Sequence, residues 1–132
     1  MKLSQVQTLI KRFIRAHPEL PRTIDFIVGV SRGGLIPAAL IATRLDKPLI
    51  AIYIDRHDRV YLDRQEWLRG KRVLLVDDIV RSGATLGKML ALLKKSGVRE
   101  VKTFTLFCLR GARVRPTWTT LVTRDKKMPW DF

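Results

Sequence analysis

Residues 73–86 read Val-Leu-Leu-Val-Asp-Asp-Ile-Val-Arg-Ser-Gly-Ala-Thr-Leu, an order that few local structures accommodate. Val73 to Val76 form a short apolar run of the kind found in a strand buried on both faces. Two adjacent carboxylates, Asp77 and Asp78, stand at its carboxyl end. The small residues Ser82-Gly83-Ala84 lead to Thr85, and Leu86, Met89, Leu90 and Leu93 follow at helical spacing. The pattern is strand, loop, helix. A glycine lets a loop turn its backbone N–H groups toward one point, and the following helix N-terminus adds partial positive charge there. Such a loop suits a phosphate, with hydroxyl donors at Ser82 and Thr85. Carboxylates repel an anion, so Asp77 and Asp78 suit sugar hydroxyls or a divalent cation instead. A phosphate with a diol beside it describes a ribose 5-phosphate. The bland alternative is a strand–loop–helix crossover whose acidic pair merely caps the helix.

The rest of the chain supplies a scaffold for this unit. Leu3, Val6, Ile10, Phe13 and Ile14 recur near a 3.6-residue period and predict an amphipathic helix over 2–16. His17-Pro18 through Pro21 break it. Residues 25–30 read as a buried strand, and Gly34 to Leu45 as a helix with Pro37 tolerated in its first turn. A strand over 48–54 follows, then a polar loop or short hairpin from Asp55 to Gly70. Gly97 stops the helix after the motif, and strands are expected over 100–109 and 117–123. Strands alternating with helices predict an α/β fold, a mostly parallel sheet flanked by helices with right-handed crossovers, in a single domain over 1–132.

At 132 residues the chain is long enough for one core, and 46% hydrophobic residues argue against disorder. No apolar run approaches the roughly 20 residues needed to cross a bilayer, and the first residues lack the apolar stretch of a signal peptide. Cys108 is the single cysteine and sits among apolar neighbours, as a packed thiol would. These features predict a cytoplasmic protein with no membrane partner. Lys and Arg number 26 against 12 Asp and Glu, a formal net charge of +14. The basic residues are dispersed, locally densest at Arg110, Arg113 and Arg115. A surface this positive attracts polyanions. Small phosphorylated substrates rank first as the reason for the charge, general solubility second, and nucleic acid, for which no recognition motif accompanies the charge, third.

The stretch from Asp77 to Thr85 resembles the phosphoribosyl pyrophosphate (PRPP) motif of type I phosphoribosyltransferases. The resemblance implies that Asp77 and Asp78 contact the ribose 2′ and 3′ hydroxyls, and that Val80, Arg81, Ser82, Gly83, Ala84 and Thr85 wrap the 5-phosphate. Ser31-Arg32-Gly33-Gly34 follows the strand ending at Val30, and its glycines and helix start suit an anion. This stretch is similar to the pyrophosphate loop of the purine branch, especially xanthine-guanine phosphoribosyltransferase, where a peptide of the loop is cis. The polar segment after Asp55 corresponds to a lid in that family, with Arg56, His57, Arg59, Tyr61 and Arg64 as candidate contacts; a solvated hairpin is the alternative.

The resemblance implies transfer of ribose 5-phosphate from PRPP to a nucleobase, best a 6-oxopurine (guanine, xanthine or hypoxanthine), with release of pyrophosphate in nucleotide salvage. It further implies Mg²⁺, with Asp77 and Asp78 as ligands partly through water, a homo-oligomer (dimer or tetramer), and a hood-like C-terminal tail. Three positions depart from the purine branch. Arg81 stands where an acidic residue is common, Leu109 where a lysine reads the base, and the segment around Asp125 holds no stacking aromatic. Arg110, adjacent to Leu109, and Trp130, in the matching Pro129-Trp130-Asp131, are the base-side candidates; Trp130 either stacks on a base or pins the tail. The competing function is a non-catalytic PRPP- or nucleotide-sensing regulator that binds nucleic acid through its basic surface.

Overall fold

A computed structural model describes residues 1–123 and 127–131. Val6, Ile10 and Phe13 fall on one side of α1 (Leu3–Ala16), and all three are buried. A single helical turn, α2 (Leu20–Thr23), follows where the prolines break α1, because Pro21 is acceptable in a first turn. The chain then enters β1 (Phe26–Ser31) and returns through α3 (Leu35–Leu45) to β2 (Leu49–Ile54). The polar segment resolves into β3 (Val60–Leu62), antiparallel to β2, and a 3₁₀ turn over Gln65–Leu68. Next come β4 (Arg72–Val80), α4 (Ala84–Lys95), β5 (Glu100–Leu109) and β6 (Trp118–Thr123).

The strand order is β3-β2-β1-β4-β5-β6, parallel throughout except for β3. Each central strand sends alternate side chains to opposite faces. Ile27, Leu74, Val76, Phe104 and Leu106 join α1 and α3 in one core, and Val28, Val30, Leu75, Leu86, Met89 and Cys108 join α4 in another. Helices on both faces explain why β4 reads as a continuous apolar run before its acidic pair. Order reverses between β1 and β4: β1 crosses to β2 on one side, and β4 to β5 on the other. Neighbouring loops diverge at such a point and leave a crevice at the carboxyl ends of the strands.

The opposite ends of these two strands are clamped together. Arg72 donates through Nε and Nη2 to the two oxygens of Asp25 at 3.0 Å each, and its backbone N–H reaches Asp25 Oδ2 at 2.8 Å. The side-chain and backbone hydrogen bonds from Arg72 lower the Asp25 pKa to about 2. Among the described residues no helix is long and apolar enough to cross a membrane.

Candidate functional site

Where β1 and β4 diverge, a cleft of about 260 Å³ opens between their following loops. Ser31 and Gly33 line it from the β1 side, and Asp77, Asp78, Val80, Arg81, Ser82, Gly83 and Thr85 from the β4 side. Two motifs that lie some fifty residues apart in the sequence thus face one space. Ile79 and Leu86 also line it; both are apolar residues that the sequence marks only as core. Arg32 and Gly34 do not line the cleft: Arg32 is exposed and Gly34 is buried behind the loop.

The acidic pair lies differently from expectation. β4 runs on to Val80, so Asp77 and Asp78 sit within the strand rather than beyond its end. Val80 likewise belongs to the strand and not to the loop. Charge suggests a terminus, but Ile79 and Val80 are 8% and 3% exposed and carry the strand past the carboxylates into the core.

The two carboxylates differ in environment. Asp77 Oδ1 accepts the N–H of Asp78 at 2.7 Å. Burial, with a hydrogen bond and the charge of Asp78 beside it, pushes the Asp77 pKa well above the usual carboxylate range, and the positive charge of Arg81 opposes that rise. Asp78 Oδ1 accepts the N–H of Ile79 at 2.8 Å, and Asp78 Oδ2 accepts the indole N–H of Trp130 at 3.2 Å. A shared site with a perturbed carboxyl is where binding or proton chemistry concentrates.

The glycines are required by packing between the loops. A Cβ at Gly33 would fall 2.1 Å from Asp78 Oδ2, and one at Gly34 would fall 2.6 Å from the Val76 carbonyl oxygen. The β1 loop therefore rests directly on the acidic pair, and its Ser31–Arg32 peptide is cis. Gly83 caps α4 with φ +91°, and a Cβ there would lie 2.4 Å from the backbone oxygen of Val114. The reason for this glycine is thus a neighbouring segment. The connection between β5 and β6 lies against the β4 loop and is tied to it by the N–H of Arg113, which donates to the Ser82 carbonyl at 2.9 Å. Ser82 Oγ in turn accepts the N–H of Ala84 at 3.2 Å.

The base-side candidates lie outside the cleft lining. Arg110 is exposed, with its N–H on the Thr123 carbonyl at 3.2 Å, and Leu109 packs against the core. Asp125 lies outside the described residues. Arg56, His57, Arg59 and Tyr61 belong to a short hairpin and Arg64 caps the 3₁₀ turn after it, and none of them lines the cleft. Asp55 orders its turn by accepting the N–H groups of His57 and Arg59 at 2.7 and 3.0 Å. Tyr61 stacks on Tyr53 at 5.0 Å, and Arg64 lies over Trp67. Among the described residues no group of three or more His, Cys, Asp or Glu is placed to hold a metal. An adjacent carboxylate pair without such a cage fits an ion held mainly by ligand oxygens and water, as Mg²⁺ prefers.

Comparison with known proteins places the chain in a family. The family model for the phosphoribosyl transferase domain matches residues 2–132. The crystal structure of a purine phosphoribosyltransferase from Pyrococcus horikoshii superposes with a TM-score of 0.90 at 30% identity, covering 100% of this chain and 92% of that one. Orotate phosphoribosyltransferase 2 of Mesorhizobium japonicum is 37% identical over 83 residues, 62% of this chain and 42% of its own length. The transcriptional regulator GfcR of Methanoculleus marisnigri is 30% identical over 119 residues, 80% of this chain and 57% of its own. The chain thus spans about half the length of these two curated relatives.

Proposed function

The chain belongs to the type I phosphoribosyltransferase family, and on that premise we propose that it transfers ribose 5-phosphate from PRPP to a 6-oxopurine with release of pyrophosphate. The observation that carries this reading is the convergence of the Ser31–Gly34 loop and the Asp77–Thr85 segment on one cleft at the switch between β1 and β4. A sugar phosphate with anions at both ends suits such a cleft. Asp77 and Asp78 would accept hydrogen bonds from the ribose hydroxyls, the backbone from Val80 to Thr85 with the Ser82 and Thr85 hydroxyls would hold the 5-phosphate, and the β1 loop would face the pyrophosphate through Ser31 and Gly33. Held this way, C1 is presented to the base nitrogen on the side opposite the leaving pyrophosphate. The C1–O bond breaks as the C1–N bond forms, and positioning together with charge stabilisation supplies the acceleration. Mg²⁺ would be held by Asp77 and Asp78, partly through water, and supplies neutralising charge to the pyrophosphate.

The purine assignment draws on the Pyrococcus structure, which aligns over the whole of this chain; the orotate enzyme aligns over a smaller part. Leu109 offers no polar group to a base, so base contacts fall to backbone groups and Arg110. We therefore expect slow but measurable turnover. Incubation with PRPP, Mg²⁺ and a panel of guanine, xanthine, hypoxanthine, adenine and orotate, read as pyrophosphate release, tests it. Turnover with orotate alone would reassign the base, and none with any base would remove the enzyme reading.

A regulator is the second reading, and charge distribution favours it. Between residues 79 and 123 the basic residues Arg81, Lys88, Lys94, Lys95, Arg99, Lys102, Arg110, Arg113 and Arg115 face a single acidic one, Glu100. The similarity to GfcR points the same way. Retardation of duplex DNA with steep salt dependence, together with no base conversion, would establish it. Homo-oligomer formation belongs to the first reading and is measured by light scattering.

A further inference from the structure

Asp78 is gripped by segments far apart in the sequence. Ile79 and Trp130 donate to its two oxygens at 2.8 and 3.2 Å, and the absent Cβ of Gly33 would lie 2.1 Å from the oxygen that Trp130 holds. Trp130 is itself anchored. Met128, two residues before it, is 3% exposed in the core beneath α1 and α3, and the Trp130 ring packs against that core. Asp131 closes the turn, accepting the Met128 N–H at 2.7 Å and donating its own N–H to the Met128 carbonyl at 3.1 Å. The indole N–H therefore stands at a position set by the core, not by a loose tail.

We propose that Trp130 is a positioning residue for Asp78, orienting its carboxylate toward the ribose hydroxyls instead of touching the base. This inference rests on the phosphoribosyl reading above. The terminal torsion of an aspartate is broad, so a carboxylate is aimed only when fixed donors hold its oxygens. An indole N–H suits the task because it donates and never accepts. It cannot compete with the carboxylate for a sugar hydroxyl, and it occupies only one of the lone pairs of Oδ2. The same oxygen abuts Gly33, so the tail, the acidic pair and the β1 loop meet at one atom. Sequence reasoning leaves Trp130 between base stacking and tail pinning because its partner lies 52 residues away.

Trp130→Phe keeps a ring and removes the donor, whereas Trp130→Ala removes both. In Trp130→Phe we expect the KM for PRPP, and its calorimetric Kd with Mg²⁺, to rise about tenfold, equivalent to about 1.4 kcal/mol. The KM for the base should stay within about twofold and the melting temperature should hold. Unchanged PRPP affinity in Trp130→Phe overturns the proposal. So does a Trp130→Ala protein whose base KM alone rises. The indole N–H resonance of Trp130, identified by its disappearance in Trp130→Phe, supplies a readout that needs no turnover. It should move upfield in Asp78→Ala while the Trp67 and Trp118 signals hold, and a signal indifferent to Asp78→Ala overturns the contact. If Asp78→Ala produces this shift yet the wild-type protein binds no PRPP, the contact is supported and the phosphoribosyl reading alone is overturned.

Discussion

Asp77 and Asp78 are neighbours, but the protein solvates them differently. Asp78 receives donors from Ile79 and Trp130, whereas Asp77 is half-buried, poorly solvated beside another carboxylate, and its pKa is raised. An acid whose folded pKa is raised destabilises the folded state at any pH above that of its unfolded form, where folding must either bury the charge or take up a proton. Asp77→Asn keeps the oxygen that accepts the Asp78 N–H and removes the charge. Its melting temperature should rise by about 3 °C or more near neutral pH, shrink toward parity below about pH 4, and come with lost PRPP binding. A melting curve that falls at neutral pH would show that Asp77 stabilises the empty site.

Two glycines test the loop at the same scale. Gly83 and Gly111 have similar φ, +91° and +83°, but a Cβ meets the Val114 backbone at the first and nothing within 4 Å at the second. Alanine at Gly111 should cost only the backbone term, of order 1 kcal/mol, whereas alanine at Gly83 should cost about 2 kcal/mol or more. Urea midpoints of the two variants, at unchanged slope, measure the difference, and equal losses would mean that the contact with Val114 yields freely. Asp77, Asp78 and Gly83 are readable in the sequence because they sit within one local pattern. Val114 over Gly83 and Trp130 on Asp78 are not, since no periodicity links positions 31 and 52 residues apart.

Elements were legible wherever burial and periodicity agree. α1, α3, β1, β2, β5 and β6 begin and end within one residue of the positions that the apolar pattern predicts. β4 departs by four residues at its carboxyl end, because two carboxylates stand inside a strand where packing alone favours apolar side chains. The hairpin of β3 is not legible because its apolar face is only Val60 and Leu62, too short an alternation to separate a strand from a polar loop. The clamp of Arg72 on Asp25 joins β4 to β1 at the end away from the cleft, and its register fixes where Asp77 and Asp78 emerge. The Asp25 pKa is lowered to about 2 against an ordinary 3.8, so its contribution is present above the higher value and is lost as pH falls through the lower one. Both side chains are nearly one-third exposed, and solvent screening reduces the contribution to about 1 kcal/mol. Asp25→Asn should lose that much in urea melts at pH 7 and converge on the wild type near pH 2; a loss unchanged at acid pH would assign the effect to packing.

For the whole molecule, charge is the dominant long-range fact. A net charge of +14 raises the local concentration of any phosphorylated ligand, and added salt screens that attraction over about 10 Å at 0.1 M. PRPP affinity should therefore fall severalfold between about 50 and about 500 mM KCl, while ribose 5-phosphate, with fewer charges, should lose less. Equal salt slopes for the two ligands in calorimetric titrations would confine the effect to the loop that both share.

The reversal of strand order has a further consequence. The β1 loop leads into a helix on one face of the sheet and the β4 loop into a helix on the other, each rooted in its own core. The proposed base-side residues are not equally free of this scaffold: Leu109 and Trp130 pack against the first core, whereas Arg110 is exposed at the start of the β5–β6 connection. A change at Arg110 can therefore be inherited without repacking either core, while one at Leu109 or Trp130 reaches the cleft through the packing beneath it.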